Sequence, residues 1–392
     1  MPVRPEWGWM VSVSTQTGPS SVEPTSPAAE PTTTVRAGSG SEEPGRIRWG
    51  VLSTGHIAGV FARDLALLPD EAELAAVASR TLQKAEKFAA EFGFDRAYGS
   101  YAELAADPNI DVVYIASPHH DHLDSARLCL EGGKSVLVEK PLTTSAADTE
   151  KLIKLADQQG LFLMEALWTR TNPLLRKAVQ VVRSGELGSV RHLEISFGFH
   201  FTGPDDHRLL NPALAGGAIW DLGVYPTHVS NAFLGEPTRL AGFGHRARTG
   251  VDSHAAALLG FDGTDDNPDP TASLLATLET DPANRTTVYC SNGRVELDNV
   301  VKPGLLTIVR GSGDDAETEE VITQLPGGGY TLQAQEVMFR LRSDELESPL
   351  VPWRDTLAVA RTLDRWLAVI ADQTVSNPTE TVGRESAEGN GR

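Results

Sequence analysis

The sequence predicts an N-terminal α/β domain with a doubly wound parallel sheet, followed by an α+β domain with a large, mostly antiparallel open sheet. Short apolar segments alternate with amphipathic helices over residues 46–165, which is typical of a parallel sheet covered by helices on both faces. Segments with one apolar face follow one another over residues 166–352, which indicates an antiparallel sheet. A C-terminal helix over residues 353–373 completes the fold, and 392 residues are enough for two cores.

Strands and helices of the first domain are predicted in strict alternation. The strands cover residues 47–53, 73–78, 112–116, 135–138 and 161–164. The helices cover residues 57–68, 82–92, 101–106, 120–131 and 146–159. Gly132-Gly133 and Gly160 stand where two helices end, because glycine readily adopts the left-handed conformation of a C-cap. This pattern predicts a domain of the Rossmann type.

The second domain begins with a predicted helix over residues 173–184. Leu193, Ile195, Phe197 and Phe199 then alternate with polar residues, which predicts a strand with one buried face. Further strands are predicted over residues 240–248, 254–261, 272–278, 286–290, 294–298 and 305–310. Asn292-Gly293 between two of these strands indicates a tight hairpin.

Composition narrows the range of partners. The net charge of −19 argues against nucleic acid or an anionic membrane as the main partner, and no apolar run is long enough to cross a bilayer. Residues 1–45 and 374–392 contain few aliphatic side chains and are predicted to be disordered tails. The first tail lacks the apolar core of an export signal, so we expect a cytoplasmic protein. Cys129 and Cys290 are predicted to be buried free thiols.

The turn after the first strand has the sequence context of a site for a dinucleotide pyrophosphate. Ser53, Gly55 and Ala58 occupy the small-residue places of a G-x-G-x-x-G/A turn that leads into a helix. Such a turn lets the backbone approach phosphate, and the helix N-terminus offers free N–H groups. An ordinary strand-to-helix turn is the alternative interpretation. The residues predicted to contact the cofactor here are Ser53, Thr54, Gly55, His56 and Ile57.

The end of the second strand indicates which dinucleotide binds. NAD sites place an acidic residue here, whereas NADP sites have an arginine near the 2′-phosphate. This chain has Ser79 and Arg80 at the position and no carboxylate. Arg80 can pair with a phosphate dianion that a carboxylate would repel. The sequence therefore predicts NADP, with NAD as the alternative; a solvated surface arginine is the interpretation without function.

Two further segments carry residue types that suit proton transfer. Lys140 follows a buried strand, and the carboxyl ends of such strands border the ligand crevice. Asp221, Tyr225 and His228 are spaced so that a helix would present them on one face. An acid, a phenol and an imidazole together can bind a polyol and move a proton. A salt-bridge lysine, a helix-terminal acid, a core tyrosine and a surface histidine are the alternative, structural interpretation.

Together these motifs resemble the glucose–fructose oxidoreductase (Gfo/Idh/MocA) family. The resemblance rests on the S-x-G-x-x-A turn, on Glu139-Lys140-Pro141, and on Gly216-Gly217 followed by Asp221, Gly223 and Tyr225. The segment E-A-L-W-T-R at residues 165–170, the serine in the turn and the tyrosine in D-x-G-x-Y are similar to one branch of the family. That branch contains dimeric dihydrodiol dehydrogenase and NADP-dependent D-xylose 1-dehydrogenase. The resemblance extends over residues 46–370.

The resemblance implies a catalytic role for each residue that matches a family motif. Lys140 would contact the reacting hydroxyl, Tyr225 would take or give its proton, and Asp221 would hold a neighbouring hydroxyl. A phenol with a pKa of ~10 is a poor base at neutral pH. The Lys140 ammonium and a positively charged nicotinamide would stabilise the phenolate.

The other residues implied by the resemblance line the cofactor or the substrate. The cofactor set adds Ser117, Pro118, His119, His122, Glu139, Lys140, Trp168 and Arg170. The substrate set adds Trp168, Arg170 and His228, where His228 adds to or competes with Tyr225. His119 departs from the family pattern T-P-N-x-x-H, because it replaces the asparagine. The run from His119 to His122 also suggests a metal site, but adjacent residues cannot all reach one ion, and we predict no metal.

The leading prediction is an NADP-dependent oxidoreductase. It would oxidise the anomeric hydroxyl of an aldose to a lactone, or a trans-dihydrodiol to a ketol or catechol. The alternatives are a non-catalytic regulator that binds dinucleotide and sugar, and an aldose–aldose oxidoreductase with a tightly held cofactor. The open sheet of the second domain has a face that needs cover, and the family covers it by pairing subunits. We therefore expect a homodimer or a dimer of dimers.

Overall fold

The computed structural model describes residues 12–14, 45–263 and 268–373. The strands are β1 (Ser12–Ser14), β2 (Ile47–Leu52), β3 (Ala72–Ala78), β4 (Arg96–Tyr98), β5 (Val112–Ile115), β6 (Ser135–Val138), β7 (Leu163–Glu165), β8 (Val190–Gly198), β9 (Arg239–Arg246), β10 (Asp252–Gly260), β11 (Thr271–Thr277), β12 (Thr286–Cys290), β13 (Gly293–Leu297), β14 (Leu305–Arg310) and β15 (Glu317–Ile322).

The α-helices, in chain order, are α1 (His56–Leu65), α2 (Leu82–Phe92), α3 (Tyr101–Ala106), α4 (His122–Glu131), α5 (Ala146–Gln159), α6 (Pro173–Ser184), α7 (Val224–Leu234), α8 (Thr331–Arg342) and α9 (Trp353–Gln373). A π-helical turn, Ile219–Gly223, leads directly into α7. Short 3-10 turns cover His119–Asp121, Trp168–Thr171, Pro212–Leu214 and Gly313–Asp315.

The first sheet is the predicted doubly wound one. Its strands are parallel, in the order β4-β3-β2-β5-β6-β7. The order reverses between β2 and β5, and in open α/β sheets this switch point opens a crevice at the carboxyl ends of the strands. Phe61 stacks on Tyr114 in the core of this domain with ring centroids 3.8 Å apart, and Trp49 is tilted against Phe61 at 5.3 Å. The predicted Rossmann-type domain is therefore confirmed.

The second sheet is mostly antiparallel, as predicted. Its order is β1-β15-β14-β13-β12-β8-β11-β10-β9, in which β8 and β11 run parallel. Alternate residues such as Leu193 and Ile195 are buried, and α6, α7 and α9 pack against the sheet. The opposite face carries Phe243, Leu258 and Tyr289 with exposed fractions of 76%, 52% and 38%. One face of the sheet thus holds the core while the other keeps large apolar side chains at the surface.

Most predicted elements are present with their ends shifted by a few residues. The elements β1, β4, β15 and α8 were not predicted, and no range was predicted for α7. β4 has only 3 residues and is half-buried, so it shows no apolar run. β15 has glutamates at positions 317, 319 and 320, a composition that suits a strand near a sheet edge better than a core strand. The hairpin predicted at Asn292-Gly293 forms one residue earlier, since Cys290 pairs with Gly293 across Ser291 and Asn292.

The predicted disordered N-terminal tail needs one correction. Residues Ser12–Ser14 form β1 and pair with β15, because an edge strand offers unpaired backbone groups to any nearby extended segment. The rest of residues 1–44, like the predicted tail 374–392, lies outside the described residues.

Other expectations concern membranes and thiols. Among the described helices, none combines the length and the apolar character needed to span a bilayer. Cys129 and Cys290 are free thiols, as predicted. Cys129 is buried, whereas Cys290 is only half-buried.

A glycine-rich loop connects the two domains through side-chain contacts. The buried carboxylate of Asp64, on α1, accepts hydrogen bonds from the N–H groups of Gly328 and Tyr330, both at 2.7 Å. Gly329 has a φ of 105°, which other residues rarely adopt. A Cβ at Gly329 would lie 2.6 Å from the Trp168 ring. The loop therefore packs closely on α1 and on the segment that follows β7.

Candidate active site

Lys140, Asp221 and Tyr225, which the sequence separates widely, meet at the carboxyl end of β6. Lys140 follows β6 directly, and the Lys140–Pro141 peptide is cis. Its Nζ donates to the carbonyl oxygen of Asp221 at 2.6 Å and lies 3.3 Å from Oδ1 of the same residue. The ammonium also lies 4.9 Å from the centroid of the Tyr225 ring. The residues predicted to be catalytic therefore form one cluster in the crevice.

The carboxylate of Asp221 collects positively polarised groups from three segments. Arg208 Nη1 donates to Oδ1 at 2.8 Å, Lys140 Nζ lies at 3.3 Å, and His119 Nε2 lies at 3.6 Å. Burial acts to raise the pKa of Asp221, but the charges of Lys140 and Arg208 outweigh burial and hold it below its usual range. Asp221 is therefore ionised and can accept hydrogen bonds from a substrate. Arg208, which belongs to an irregular loop, was not predicted.

The ionisation of the neighbouring side chains completes the electrostatics of the cluster. Burial acts to lower the pKa of Lys140, but Asp221 and Tyr225 outweigh it and raise that pKa, so the ammonium keeps its charge. Burial raises the pKa of the Tyr225 phenol, and the Lys140 charge opposes the rise. Burial lowers the pKa of His119 to about 3, against the opposing charge of Asp221. At neutral pH the cluster thus contains a neutral phenol beside a cation and a neutral imidazole.

Asp252 fixes the start of the helical segment that carries Asp221 and Tyr225. Its Oδ2 accepts the N–H of Ile219 at 2.6 Å, which is the first residue of the π-helical turn. Gly217 has a φ of 127°, and a Cβ there would lie 2.4 Å from Asp252 Oδ1. Burial raises the pKa of Asp252 to about 6, although hydrogen bonds from backbone N–H groups oppose the rise. A glycine and a buried carboxylate therefore set the position from which the reactive side chains project.

An aromatic wall stands beside the cluster. The rings of Trp168 and Tyr330 stack with centroids 4.8 Å apart and an interplanar angle of 17°. Tyr225 meets Phe197 edge-on, with centroids 5.4 Å apart. Trp168 was predicted as a site residue, whereas Tyr330 was not, because it belongs to the glycine-rich loop whose position depends on Asp64. Flat apolar faces of this kind suit the C–H face of a sugar or a planar ring.

Glu139 and His122 hold the backbone at Lys140 and Pro141 through hydrogen bonds. Glu139 accepts hydrogen bonds from the Tyr114 hydroxyl and, at 3.1 Å, from the N–H of Lys140. The ring nitrogens of His122 lie 2.8 and 2.9 Å from the carbonyl oxygens of Pro141 and Ser117. Both side chains are buried. These hydrogen bonds fix the backbone at Ser117, Lys140 and Pro141.

Arg170 and His228, which were predicted to line the site, form hydrogen bonds within the protein. The Arg170 guanidinium donates to Asp355 at 2.7 Å, to the Leu350 carbonyl at 3.0 Å and to the His228 carbonyl at 3.2 Å. His228 is fully buried, and its Nε2 lies 2.9 Å from Glu165 Oε2. A π-helical turn precedes α7, and His228 bonds Glu165 whereas Asp221 bonds Lys140. Both side chains are occupied by the protein itself.

The predicted cofactor turn has the shape that a pyrophosphate needs. Ser53 has a φ of 86°, the conformation that glycine provides at this place in other turns. A Cβ at Gly55 would meet nothing within 4 Å, and no side chain caps the N-terminus of α1. Thr54 Oγ1 lies 3.2 Å from Ser79 Oγ. The helix N-terminus, formed by His56 and Ile57, therefore presents free N–H groups to open space.

The other predicted cofactor residues border the same crevice. Arg80 is exposed immediately after β3, and Ser117 and Pro118 follow β5. The ring of His119 lies 5.6 Å from that of His122. His120, in contrast, pairs with Asp121 at 3.4 Å, so the histidine run does not converge on one point. The residues present fit a dinucleotide that carries a 2′-phosphate, because an exposed arginine stands at the second strand without a carboxylate.

Comparison with known proteins agrees with this geometry. A family model described as an oxidoreductase family with an NAD-binding Rossmann fold matches residues 47–167, and a GFO/IDH/MocA C-terminal domain matches residues 175–296. The chain is 34% identical to a D-xylose 1-dehydrogenase (NADP(+)) from Hypocrea jecorina, over 83% of this chain and 93% of that protein. It is 33% identical to a trans-1,2-dihydrobenzene-1,2-diol dehydrogenase from Homo sapiens, over 81% of this chain and 95% of that protein.

Solved structures share the architecture. A 3-ketoreductase from Actinomadura kijaniata in complex with NADP and TDP-benzene superimposes with a TM-score of 0.72 at 26% identity, over 83% of this chain and 98% of that one. An aldose-aldose oxidoreductase from Caulobacter crescentus superimposes with a TM-score of 0.74 at 23% identity, over 84% of this chain and 98% of that one. The second likeness concerns the fold alone.

The position of Asp252 generates a testable prediction. We expect Asp252→Ala to lower kcat by about tenfold to a hundredfold, because small displacements of reacting groups have effects of that size. The Kd of the dinucleotide should change little. Asp252→Asn should stay closer to wild type, since its carbonyl oxygen can still accept the Ile219 N–H. Ser253→Ala is the matched control, because the neighbouring Ser253 bonds Glu279 instead. Equal kcat values for Asp252→Ala and Ser253→Ala would contradict the role.

The pKa of Asp252 gives an independent measurement. In the folded protein this pKa is about 6, above the ordinary value of 3.8, so the folded state binds the proton more tightly than the unfolded state. The contribution of Asp252 to the free energy of unfolding should therefore fall as pH rises from about 4 to about 6. Denaturant unfolding of wild type and Asp252→Asn across this window should show that difference, and a pH-independent difference would contradict it.

Proposed function

The chain belongs to the Gfo/Idh/MocA family of oxidoreductases, and from this membership we propose that it transfers hydride between NADP and a sugar or a vicinal diol. The observation that carries the proposal is the cluster of Lys140, Asp221 and Tyr225 at the crevice of a dinucleotide-type sheet. The names of the relatives, a xylose dehydrogenase and dihydrodiol dehydrogenases, point to the same two substrate classes. In both, a secondary or anomeric hydroxyl loses a hydride and a proton.

The cofactor preference rests on Arg80. We assign the 2′-phosphate to Arg80 and Ser79, and the pyrophosphate to the backbone of residues 53–57. Guanidinium pairs with phosphate through charge-assisted hydrogen bonds, and no carboxylate at the end of β3 opposes this. The bound nicotinamide would supply the hydride chemistry, as cofactors of this type do.

The protein side chains handle the proton and the orientation of the substrate. Tyr225 exchanges a proton with the reacting hydroxyl oxygen, and its phenolate is stabilised by Lys140, whose charge opposes the rise in the phenol pKa. Asp221, ionised between Lys140 and Arg208, accepts a hydrogen bond from a neighbouring hydroxyl. Such proton transfer and positioning are the usual contributions of protein groups to this chemistry.

The aromatic wall and the open sheet complete the proposal. Trp168 and Tyr330 present stacked rings to the substrate side of the cluster, which suits a pyranose or a cyclohexadiene diol. The exposed sheet face with Phe243 and Leu258 would be covered by the same face of a second subunit, because an isologous contact hides both patches at once. A homodimer in the cytoplasm is thus part of the proposal.

Turnover tests the catalytic assignment. Wild-type protein should form NADPH with members of a panel of aldoses and trans-dihydrodiols. Lys140→Ala and Tyr225→Phe should each lower kcat by about 10²–10⁴-fold, the usual contribution of a positioned acid or base. Dinucleotide affinity, followed by fluorescence titration, should change only a few-fold. Lys151→Ala, on the exposed face of α5, is the control. Wild-type kcat in Tyr225→Phe would remove Tyr225 from the mechanism, and binding without turnover would favour the regulator.

The preference for NADP over NAD tests the assignment of the 2′-phosphate to Arg80. Arg80→Ala should raise the KM for NADP by about tenfold to a hundredfold, since each hydrogen bond to a charged group is worth about 1.5–3 kcal/mol. The KM for NAD should change little. Arg63→Ala is the matched control, because Arg63 stands in the last turn of α1, at the far end from the pyrophosphate turn. A preference for NAD in the wild-type enzyme would contradict the assignment.

The molecular mass in solution tests whether a second subunit covers the exposed sheet face. Light scattering should give the mass of a dimer for wild type and of a monomer for Leu258→Glu, because a buried glutamate without a partner opposes association. Leu82→Glu, which changes an exposed leucine on α2, should remain dimeric. A dimer that persists in both Leu258→Glu and Phe243→Glu, or a monomeric wild type, would contradict the proposed interface.

A further inference from the structure

A second cleft lies along α6, outside the candidate active site. Its volume is about 540 Å³, which is within the range of small-molecule sites. One face of α6 forms a wall, and residues 349–350 and Ala232 lie opposite. Lys140, Asp221 and Tyr225 do not line it. The cleft therefore has no role in the chemistry proposed above.

Two arginines give this cleft its charge. Arg176 and Arg183 both line it and stand two turns apart on the same helix face, about 10 Å along the axis. Arg183 Nη2 donates to the Ala232 carbonyl at 2.9 Å, a neutral acceptor. Across the described ranges, the Arg176 guanidinium forms no hydrogen bond or ion pair, and the residues that line the cleft include no aspartate or glutamate. The positive charge of both side chains is thus uncompensated.

Arg170 also lines the cleft but adds no free charge. Its guanidinium is paired with Asp355 at 2.7 Å and satisfied by two backbone carbonyls. The remaining lining is largely apolar and comes from Leu175, Val179 and Leu350. A site of this composition offers charge at the α6 face and apolar surface beside it.

We propose that the α6 cleft binds an organic anion. Its carboxylate or phosphate group pairs with Arg176 and Arg183, and its apolar body packs on Leu175, Val179 and Leu350. Guanidinium groups recognise such oxyanions through paired hydrogen bonds. The net charge of the chain is −19, so a general attraction for anions does not explain binding here; the local pair of arginines must supply it.

Phenyl phosphate is a suitable probe. Inorganic phosphate is the control compound with the charge alone, and benzyl alcohol is the control compound with the apolar ring alone. Calorimetric titration would use the full chain with saturating NADP, so that the dinucleotide crevice is not available. We expect phenyl phosphate to bind wild type, and the two control compounds to bind at least tenfold more weakly. Arg176→Glu/Arg183→Glu should weaken phenyl phosphate tenfold or more. Lys177→Glu, which changes the neighbouring exposed cation outside the cleft, should not.

Arg176→Glu alone keeps the test decisive if the double variant does not fold, because the Arg176 side chain bonds no described residue. It should weaken phenyl phosphate several-fold. Benzoate in place of phenyl phosphate distinguishes a carboxylate site from a phosphate site, and tighter binding of either supports the proposal. Equal affinity in wild type, Arg176→Glu and Lys177→Glu, or no binding of either anion to wild type at millimolar concentration, would overturn it.

Discussion

The contact between Lys140 and Asp221 is the constraint on which the rest of the site depends. It joins the end of a strand in one domain to a helical turn in the other, and both side chains are mostly buried. Removing two charged groups from water is unfavourable. Their mutual attraction offsets this desolvation penalty only when further hydrogen bonds satisfy both groups. Arg208 and the Asp221 carbonyl provide these bonds. The arrangement holds the ammonium 4.9 Å from the centroid of the Tyr225 ring.

The sequence could single out Lys140, Asp221 and Tyr225 only in combination, because each of their local patterns also has a structural interpretation. A lysine after a buried strand and an acid four residues before a tyrosine are visible without a structure. His228 shows the limit of such reasoning: its pattern fits an α-helix, but the preceding turn is π-helical. Its partner, Glu165, lies 63 positions away in the chain. Arg170 is similar, since Asp355 and two carbonyls take up its guanidinium. Only the tertiary structure shows which polar groups are already satisfied.

Residues on irregular loops were not predictable for a different reason. Arg208 and Tyr330 have no periodic neighbours, and their positions are set by distant partners, Asp221 and Asp64. The doubly wound parallel sheet and the mostly antiparallel sheet, in contrast, could be predicted from the periodicity of apolar residues, although the order of their strands could not. The net negative charge of the chain does not indicate local basic sites. It gives no information about the arginines on α6 or about Arg80 beside the crevice. Composition describes the whole surface, and binding depends on small parts of it.

The hydrogen bonds between Asp64 and the glycine-rich loop determine what a movement of that loop would disrupt. They join α1, the helix that follows the predicted cofactor turn, to the loop that carries Tyr330. A separation of the two domains would break both bonds, whereas the stacked rings of Trp168 and Tyr330, which both belong to the second domain, would move together. Any movement of the loop away from α1 therefore requires the loss of two hydrogen bonds to a buried carboxylate, which would leave that carboxylate without these partners.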